Sequence, residues 1–182
     1  MKPNECILFS GGARGAEAAF GIQAERLGVE EVNFTFEGHQ IERKRGIRML
    51  NHEELQAGDV SLAYVSRLLG RTYTETPVFR KILQSIWYQI NQGQEIYVVG
   101  TVQEDGTVRG GTGWGAEFAK LCNKELFAFD QERDVWLAWE KDEWHERAEP
   151  RIRHPHFTGT GTRLLQENGA RAIAALLDRS FS

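Results

Sequence analysis

Cysteine is scarce in this sequence: the 182 residues include two, Cys6 and Cys122, which lie far apart along the chain. Two residues are too few for a disulfide framework, and neither lies beside a histidine in a pattern typical of a nucleophilic enzyme. Both lie in apolar surroundings, which predicts buried free thiols. A Gly-x-Ser-x-Gly nucleophile elbow is also missing, so the sequence gives no support to nucleophilic catalysis.

Positive charge and long apolar runs are also in short supply. Lysine and arginine number 22 against 26 acidic residues, which gives a net charge of −4 and a pI of about 5.8. This acidic balance argues against nonspecific binding to nucleic acid or to an acidic membrane. No segment approaches the roughly 20 apolar residues that a membrane helix needs, and no signal-peptide pattern opens the sequence. We therefore expect a cytoplasmic protein.

The sequence also lacks a cluster of metal-ligating residues. His154 and His156 alternate, so on a strand their side chains would share one face. A metal ion needs more ligands than two histidines, and no other histidine or cysteine cluster accompanies them. The sequence therefore predicts neither a metal site nor a resident cofactor.

Apolar runs of strand length alternate along the chain with segments of helical periodicity. This alternation is typical of an α/β fold, and it predicts a three-layer Rossmann-like sandwich with a mainly parallel sheet. Asp105 and Gly106 predict the tip of a small inserted hairpin over 101–108. We expect a single domain over 1–182. Strands are predicted over 6–9, 32–36, 95–99, 125–130 and 135–139, and helices over 16–27, 53–70, 77–91 and 164–178.

Three glycine-rich turns follow predicted strands and precede predicted helices, over 10–17, 109–117 and 158–163. Glycine allows the backbone to approach a ligand closely, and free N–H groups at a helix start favour a phosphate. Ligands of parallel α/β sheets bind beyond the carboxyl ends of the strands, so the three turns could converge on one crevice. The predicted ligand is nucleotide-like or phosphate-bearing. The candidate ligand-binding residues are Ser10, Gly11, Gly12, Arg14, Gly110, Gly111, Thr112, Gly113, Trp114, Glu117, Gly159, Thr160, Gly161, Thr162 and Arg163.

Several of these candidates have two interpretations. Arg14 and Arg163 could each pair with a phosphate, or could be ordinary surface arginines. A large aromatic side chain inside a glycine-rich loop has little reason to lie in the core, so we expect Trp114 to contact a base or ribose. The polar and basic segment 37–51 is either a solvated connection or a flap that covers the ligand.

The second turn resembles a known family motif. Gly110-Gly111-Thr112-Gly113-Trp114-Gly115-Ala116-Glu117 resembles the Pro-Gly-Gly-x-Gly-Thr-x-x-Glu motif of the LOG proteins, which are nucleoside-monophosphate phosphoribohydrolases. The first turn, over 9–17, is similar to the other glycine-rich turn of the wider SLOG superfamily. That superfamily has a Rossmann-like fold and includes DprA-like proteins and ligand-sensing domains of anti-phage systems.

The resemblance implies roles for individual residues. Gly110, Gly111 and Gly113 would cradle a phosphate, and Glu117 takes the place of the glutamate that acts on the ribose and the glycosidic bond. The enzymes also use an arginine from a preceding helix, for which Arg80 is the nearest match. Here, however, Arg109 replaces the motif's proline and Trp114 replaces its threonine. Relatives with this fold are often dimers, which implies a homodimer or a higher homo-oligomer.

Two functions from different classes follow. The first is a sensor or sequestering protein that holds an ADP-ribose-like or cyclic nucleotide signal without turning it over, and phage–host defence is one context that fits it. The second is a LOG-like phosphoribohydrolase in which Glu117 and Arg80 are catalytic. The altered loop favours the first function, whereas the retained glutamate favours the second. Single-strand DNA binding of the DprA kind is disfavoured by the acidic balance.

Overall fold

The structure, a computed structural model, describes residues 1–72 and 76–181. Strands and helices alternate within these residues, as the periodicity predicts. The strands are β1 (Ile7–Ser10), β2 (Glu30–Thr35), β3 (Ile47–Met49), β4 (Glu95–Gly100), β5 (Glu125–Asp130), β6 (Val135–Glu140), β7 (Glu143–Glu146) and β8 (His156–Gly161). The helices are α1 (Ala16–Leu27), α2 (His52–Gln56), α3 (Asp59–Leu69), α4 (Pro77–Gln92), α5 (Thr112–Leu121) and α6 (Glu167–Phe181).

One sheet contains all of these strands, in the order β3-β2-β1-β8-β4-β5-β6-β7. The strands from β3 to β5 in this order are parallel, whereas β6 and β7 run antiparallel at one edge. The late strand β8 lies between β1 and β4, so the carboxyl ends of these three strands are neighbours. This arrangement confirms the predicted α/β fold with a mainly parallel sheet.

Helices cover both faces of the sheet and complete the three layers. One face packs against α1 and α6 around side chains such as Phe20, Phe157 and Leu176. The other face packs against α4 and α5, around side chains such as Leu83 and Ile96. None of the helices in residues 1–72 and 76–181 is long and apolar enough to cross a membrane.

The best-predicted helix is α4, which begins where the sequence indicates. The side chain of Thr76 accepts a hydrogen bond from Phe79 N at 3.1 Å, and Pro77 occupies the first turn, where its missing N–H is not needed. The helix predicted over 53–70 is instead two helices, α2 and α3. Asn51 and Glu54 form a capping box on α2, and Gly58 precedes the start of α3.

The third glycine-rich segment differs most from its prediction. Residues 158–161 belong to the buried central strand β8, and the chain turns only after Gly161. The helix expected from 164 therefore starts later, at Glu167. The short parallel strand β3 lies within the segment predicted as a loop or flap. Of the two cysteines, Cys6 is buried as predicted, whereas Cys122 is exposed.

Candidate functional site

A cleft of about 490 Å³ opens at the carboxyl ends of β1, β8, β4 and β5. This volume falls within the roughly 300–1,000 Å³ that is typical of small-molecule sites. Its lining comes from all three predicted glycine-rich segments and from helix α4. The lining residues on which the argument depends are Ala13, Glu17, His39, Phe79, Ile82, Ile86, Gln89, Arg109, Gly110, Gly111, Thr112, Gln131, Glu132, Thr160, Gly161, Thr162 and Arg163.

The buried carboxylate of Glu17 lies in this cleft. Glu17 is in the first turn of α1, and its side chain turns back so that Oε2 accepts a hydrogen bond from Ala13 N at 2.9 Å. Oε1 accepts a second hydrogen bond, also 2.9 Å long, from the hydroxyl of Thr160. Burial raises the pKa of Glu17, while these hydrogen bonds and the nearby Arg163 act in the opposite direction.

The Glu17 carboxylate is an internal anion at the first turn. It lies at the start of α1, where partial positive charge favours a negative group. An external phosphate is therefore not needed there, and the carboxylate would repel one. The other predicted residues of this turn have structural contacts: Ser10 Oγ donates to Gly159 O at 2.8 Å, and a side chain on Gly12 would meet the Arg43 carbonyl. Arg14 is exposed and is not among the lining residues.

The second turn presents free donors at the cleft. Gly110, Gly111 and Thr112 line the cleft at the N-terminus of α5. Within the described part of the chain, no hydrogen-bond acceptor meets the N–H groups of Gly111 and Thr112. Such groups at the start of a ten-residue helix favour an anion.

Arg71 holds this turn in place, although no sequence motif points to it. Its Nη1 donates to Gly110 O at 3.0 Å and to Val108 O at 3.4 Å. These bonds fix the loop carbonyls on the side of the guanidinium. A lone arginine after the glycine that ends α3 carries no recognisable signal, because its partners are more than 30 residues away in the chain.

Three predicted residues of the second turn do not face the cleft, which corrects their assignment. Trp114 is 1% exposed and packs in the core between α5 and the sheet. A side chain on Gly113 would lie 2.1 Å from the Val108 carbonyl, so this glycine serves close packing. Glu117 instead pairs with Lys120 at 2.7 Å, and that ammonium lies 3.8 Å from the centre of the Trp139 ring.

The helical repeat explains why these residues turn away. At 3.6 residues per turn, Glu117 lies about 140° around α5 from Thr112. Because Thr112 faces the cleft, Glu117 faces the segment predicted as a hairpin. An antiparallel bridge between Val102 and Val108 closes this segment, and Lys120 also donates to Gly106 O there at 3.1 Å. The second proposed catalytic residue, Arg80, lies outside the cleft as well and pairs with Asp59 at 2.5 Å. The structure therefore does not bring Glu117 and Arg80 together.

The third segment contributes most of its predicted residues. Thr160, Gly161, Thr162 and Arg163 line the cleft. Gly159 does not, because a side chain there would lie 2.4 Å from the Phe20 ring on the opposite face of the sheet. The Arg163 side chain is exposed and makes no ion pair with any residue of 1–72 or 76–181.

Gln131 positions the turn that carries Arg163. Its Oε1 accepts a hydrogen bond from Gln166 N at 2.7 Å, and its Nε2 donates to Leu164 O at 3.4 Å. The side chain follows β5, so it ties one strand end to the turn after another. Arg109 and Glu132 form a further pair at the rim of the cleft, at 2.9 Å. Both partners are exposed, so this pair contributes little to stability.

Two polar side chains in the cleft were missed by sequence analysis. Gln89 is 1% exposed, and its Oε1 lacks a hydrogen-bond partner among residues 1–72 and 76–181. His39 Nε2 is likewise unpartnered within those ranges, while His39 Nδ1 lies 3.0 Å from Thr35 Oγ1. Burial and Arg163 lower the pKa of His39. The available signal was a glutamine on the apolar face of α4, one turn after Ile86.

The basic segment over 37–51 has mainly a structural role. Arg43 pairs with the buried Glu31 and with Glu25 at 3.0 Å, which ties the segment to β2 and α1. Arg45 also reaches Glu25, at 3.1 Å. These guanidinium groups are therefore turned away from the cleft, and His39 is the residue of this segment that lines it. The positions of these arginines fit the interpretation of segment 37–51 as a charged connection.

An apolar wall completes the site. Phe79, Ile82 and Ile86 of α4 line the cleft opposite the polar turns. A flat heterocycle can pack against such a surface while the charged end of the same ligand meets the α5 N-terminus. The arrangement therefore suits an amphipathic ligand that has an aromatic and an anionic end.

Comparison with known proteins gives information on the fold. No family model and no curated protein sequence matches the chain. A solved structure with a similar fold is the "Putative molybdenum carrier protein" of Syntrophus aciditrophicus, with a TM-score of 0.56 and 14% identity. The alignment covers 98% of this chain and 96% of that chain. The similarity therefore extends over the whole Rossmann-like sandwich, and at this identity it shows a shared fold alone.

Proposed function

We propose that this chain, acting as a single domain over 1–182, binds a nucleotide-derived small molecule of the ADP-ribose or cyclic nucleotide class. The observation that carries the proposal is the meeting of two unlike surfaces in one cleft. Unbonded N–H groups of Gly111 and Thr112 open into it at the α5 N-terminus, opposite the apolar wall of α4. The anionic and aromatic ends of a nucleotide match these two surfaces.

Charge in the cleft supports this orientation of the ligand. Arg163 and Arg109 lie on the lining, and Arg163 makes no ion pair within the described residues. A guanidinium can bind phosphate oxygens through two parallel hydrogen bonds. The buried carboxylate of Glu17 excludes a phosphate from the β1–α1 turn, so the phosphate is expected at the α5 end.

Binding without turnover is the function that we favour. Of the two residues assigned to catalysis by the LOG resemblance, Glu117 pairs with Lys120 and Arg80 pairs with Asp59, both outside the cleft. The resemblance to the SLOG superfamily supports a role as a sensor or sequestering protein for a signalling nucleotide, in phage–host defence among other contexts. Ligand identity determined by mass spectrometry after copurification tests this role.

Hydrolysis of an N-glycosidic bond is the second candidate, and Glu17 is the observation that favours it. A buried carboxyl with a raised pKa is a typical general acid or base. In such a reaction, Glu17 would take a proton from water as the water oxygen bonds to the ribose C1′. The bond from C1′ to the base nitrogen would break, and Glu17 would pass the same proton to the departing base, which returns the carboxylate to its starting state.

One assay separates the two functions. The protein is incubated with AMP, ADP-ribose and a cyclic nucleotide, and both retained ligand and released base are measured. Intact ligand recovered after heat denaturation supports binding alone, whereas free adenine that disappears in Glu17→Gln supports hydrolysis. Molybdate is tested in parallel, because N–H groups at a helix start also accept other tetrahedral oxyanions. Binding of molybdate without any nucleotide would contradict the proposed function.

Assembly into a homodimer or higher homo-oligomer stays a prediction. Light scattering coupled to size-exclusion chromatography measures the mass in solution and tests it directly.

A further inference from the structure

Two polar groups converge in the cleft where β1 passes into α1. A methyl group built on Gly11 would lie 2.5 Å from Gln89 Nε2 and 2.9 Å from Glu17 Oε2. The N–H₂ end of the α4 carboxamide and the carboxylate of α1 therefore approach the same point of the backbone, and Gln89 Oε1 is the other end of that carboxamide. Both side chains line the cleft, although they are only 1% and 6% exposed.

Both groups have unused capacity to accept hydrogen bonds. Gln89 Oε1 has no donor among the residues that the structure describes, so a buried acceptor is left unsatisfied. An ionised carboxylate has about four lone-pair positions, and in Glu17 three of them are taken by the donors Ala13 N, Thr160 Oγ1 and the backbone N–H of Gly11, which leaves one for a ligand. A ligand with two adjacent donors would satisfy both side chains.

The surrounding charges select neutral donors. The α1 N-terminus and Arg163 place positive potential beside Glu17, which disfavours a cationic amine there. A phosphate is disfavoured by the carboxylate itself. Uncharged donors remain, and the apolar wall of α4 is the surface that suits the base with its N–H groups, so adjacent hydroxyl groups are the donors left for Glu17 and Gln89.

We propose that Glu17 and Gln89 together accept hydrogen bonds from the vicinal 2′- and 3′-hydroxyls of a ribose. This assignment rests on the proposed nucleotide function. It identifies the two ribose hydroxyls as the part of the nucleotide that the cleft selects. Two strand spacings, about 10 Å, separate the β1 end from the β4 end that carries the α5 turn. One extended ligand can therefore place its ribose at Glu17 and its phosphate at Gly111.

The test compares AMP with 2′,3′-dideoxy-AMP by isothermal titration calorimetry on the full chain. We expect wild type to bind AMP at least about tenfold more tightly, because the dideoxy compound lacks both donors to a charged acceptor. Glu17→Gln should weaken the binding of AMP and so remove most of this difference in affinity. Gln89→Leu should reduce the same difference. Glu117→Gln and Gln84→Leu are matched controls outside the cleft, and both should keep the wild-type difference.

The outcomes separate the two proposals. Equal affinity of wild type for AMP and 2′,3′-dideoxy-AMP would overturn the ribose assignment and leave nucleotide binding in place. A wild-type difference that persists in both Glu17→Gln and Gln89→Leu would also overturn it. No measurable binding of AMP, ADP-ribose or a cyclic nucleotide would overturn both proposals. The wild-type comparison needs no variant, so it decides the matter even if Glu17→Gln fails to fold.

Discussion

The hydroxyl of Thr160 donates a 2.9 Å hydrogen bond to the buried carboxylate of Glu17, across 143 residues of chain. This bond joins the end of the central strand β8 to the first turn of α1. It also places a carboxylate where a glycine-rich turn would otherwise receive an external anion. The first and third segments therefore bond to each other through these polar groups, and the second segment presents N–H groups without an acceptor among the described residues at the start of α5.

Replacing Glu17 by Gln should stabilise the protein at neutral pH. Glu17 has a raised pKa in the folded protein, so the cost of burying its charge is present above that pKa. The cost disappears below the pKa of the unfolded chain, about 4.3. The melting temperature of Glu17→Gln should exceed that of wild type by roughly 2–4 °C for each kcal/mol of relief. Thermal unfolding across a pH series measures this effect.

The Thr160 hydroxyl can reverse its role and accept from the new amide, so the substitution preserves the hydrogen-bond pattern. The difference in melting temperature between Glu17→Gln and wild type should shrink as the pH falls towards 4. Glu117→Gln, at the half-buried pair with Lys120, serves as the control. A difference in melting temperature between Glu17→Gln and wild type that stays constant at all pH values would contradict the electrostatic explanation.

Ligand affinity should fall as the pH is lowered through the raised pKa of Glu17. A protonated carboxyl is a weaker acceptor for ligand hydroxyls, and Arg163 and His39 are the other titratable groups nearby. ADP-ribose is the suitable probe, because both of its phosphates are esterified and neither has a second ionisation near pH 6. We expect a loss of about tenfold or more in calorimetric affinity. A Glu17→Gln variant that shows the same pH dependence would assign the effect to another group.

Gly111→Asp should abolish nucleotide binding without unfolding the protein. A Cβ at this position meets no atom within 4 Å, and Asp is a favoured residue before a helix, so stability should be unchanged within about 0.5 kcal/mol. The new carboxylate would accept from the N–H groups intended for the phosphate and would repel it. We expect at least about a hundredfold loss of affinity by calorimetry.

Gly111→Ala is the matched control, because it adds bulk at the same open position without charge. It should retain affinity within a few-fold of wild type. Unchanged affinity in a folded Gly111→Asp variant would remove the α5 turn from the site.

Gly159→Ala should destabilise the protein rather than act on the ligand. The added carbon would lie 2.4 Å from Phe20 Cγ inside the buried layer between β8 and α1, which forces the ring or the strand to move. The expected cost is about 1–3 kcal/mol or more in the free energy of unfolding, measured by chemical denaturation.

Gly115→Ala is the comparison for this position. The added carbon would lie 3.4 Å from its nearest neighbour, Ile86 Cγ2, and residue 115 is inside α5. The substitution should therefore be neutral, or should stabilise the protein by up to about 1 kcal/mol. A Gly159→Ala variant of normal stability but without ligand binding would restore Gly159 to the site.

Much of the fold followed from local sequence. The apolar period and the cap at Thr76 and Pro77 placed α4 within one residue of its observed end, because these signals depend on neighbours in the chain. The alternation of strands and helices predicted the parallel sheet. The Ala57–Gly58 interruption of the helix over 53–70 was missed, because a single glycine is also tolerated inside a helix.

Individual site residues were harder to predict, because their orientation depends on contacts that are distant in sequence. Trp114 and Glu117 lie in the motif with the strongest resemblance, yet the helical repeat of α5 turns one into the core and the other towards Lys120. Gln89 is the opposite case. Its one local signal is its position on the apolar face of α4, and it becomes a candidate because α4 packs across the end of β1.

The sequence by itself determined the layers of this protein and the edge of the sheet at which the cleft lies, since both follow from periodicity and from the position of glycine-rich turns after strands. Only the tertiary structure decided which side chains share the cleft. The insertion of β8 between β1 and β4 brings Thr160 to Glu17 and Arg163 close to both. That order of strands depends on packing between segments more than 140 residues apart, which local patterns cannot encode.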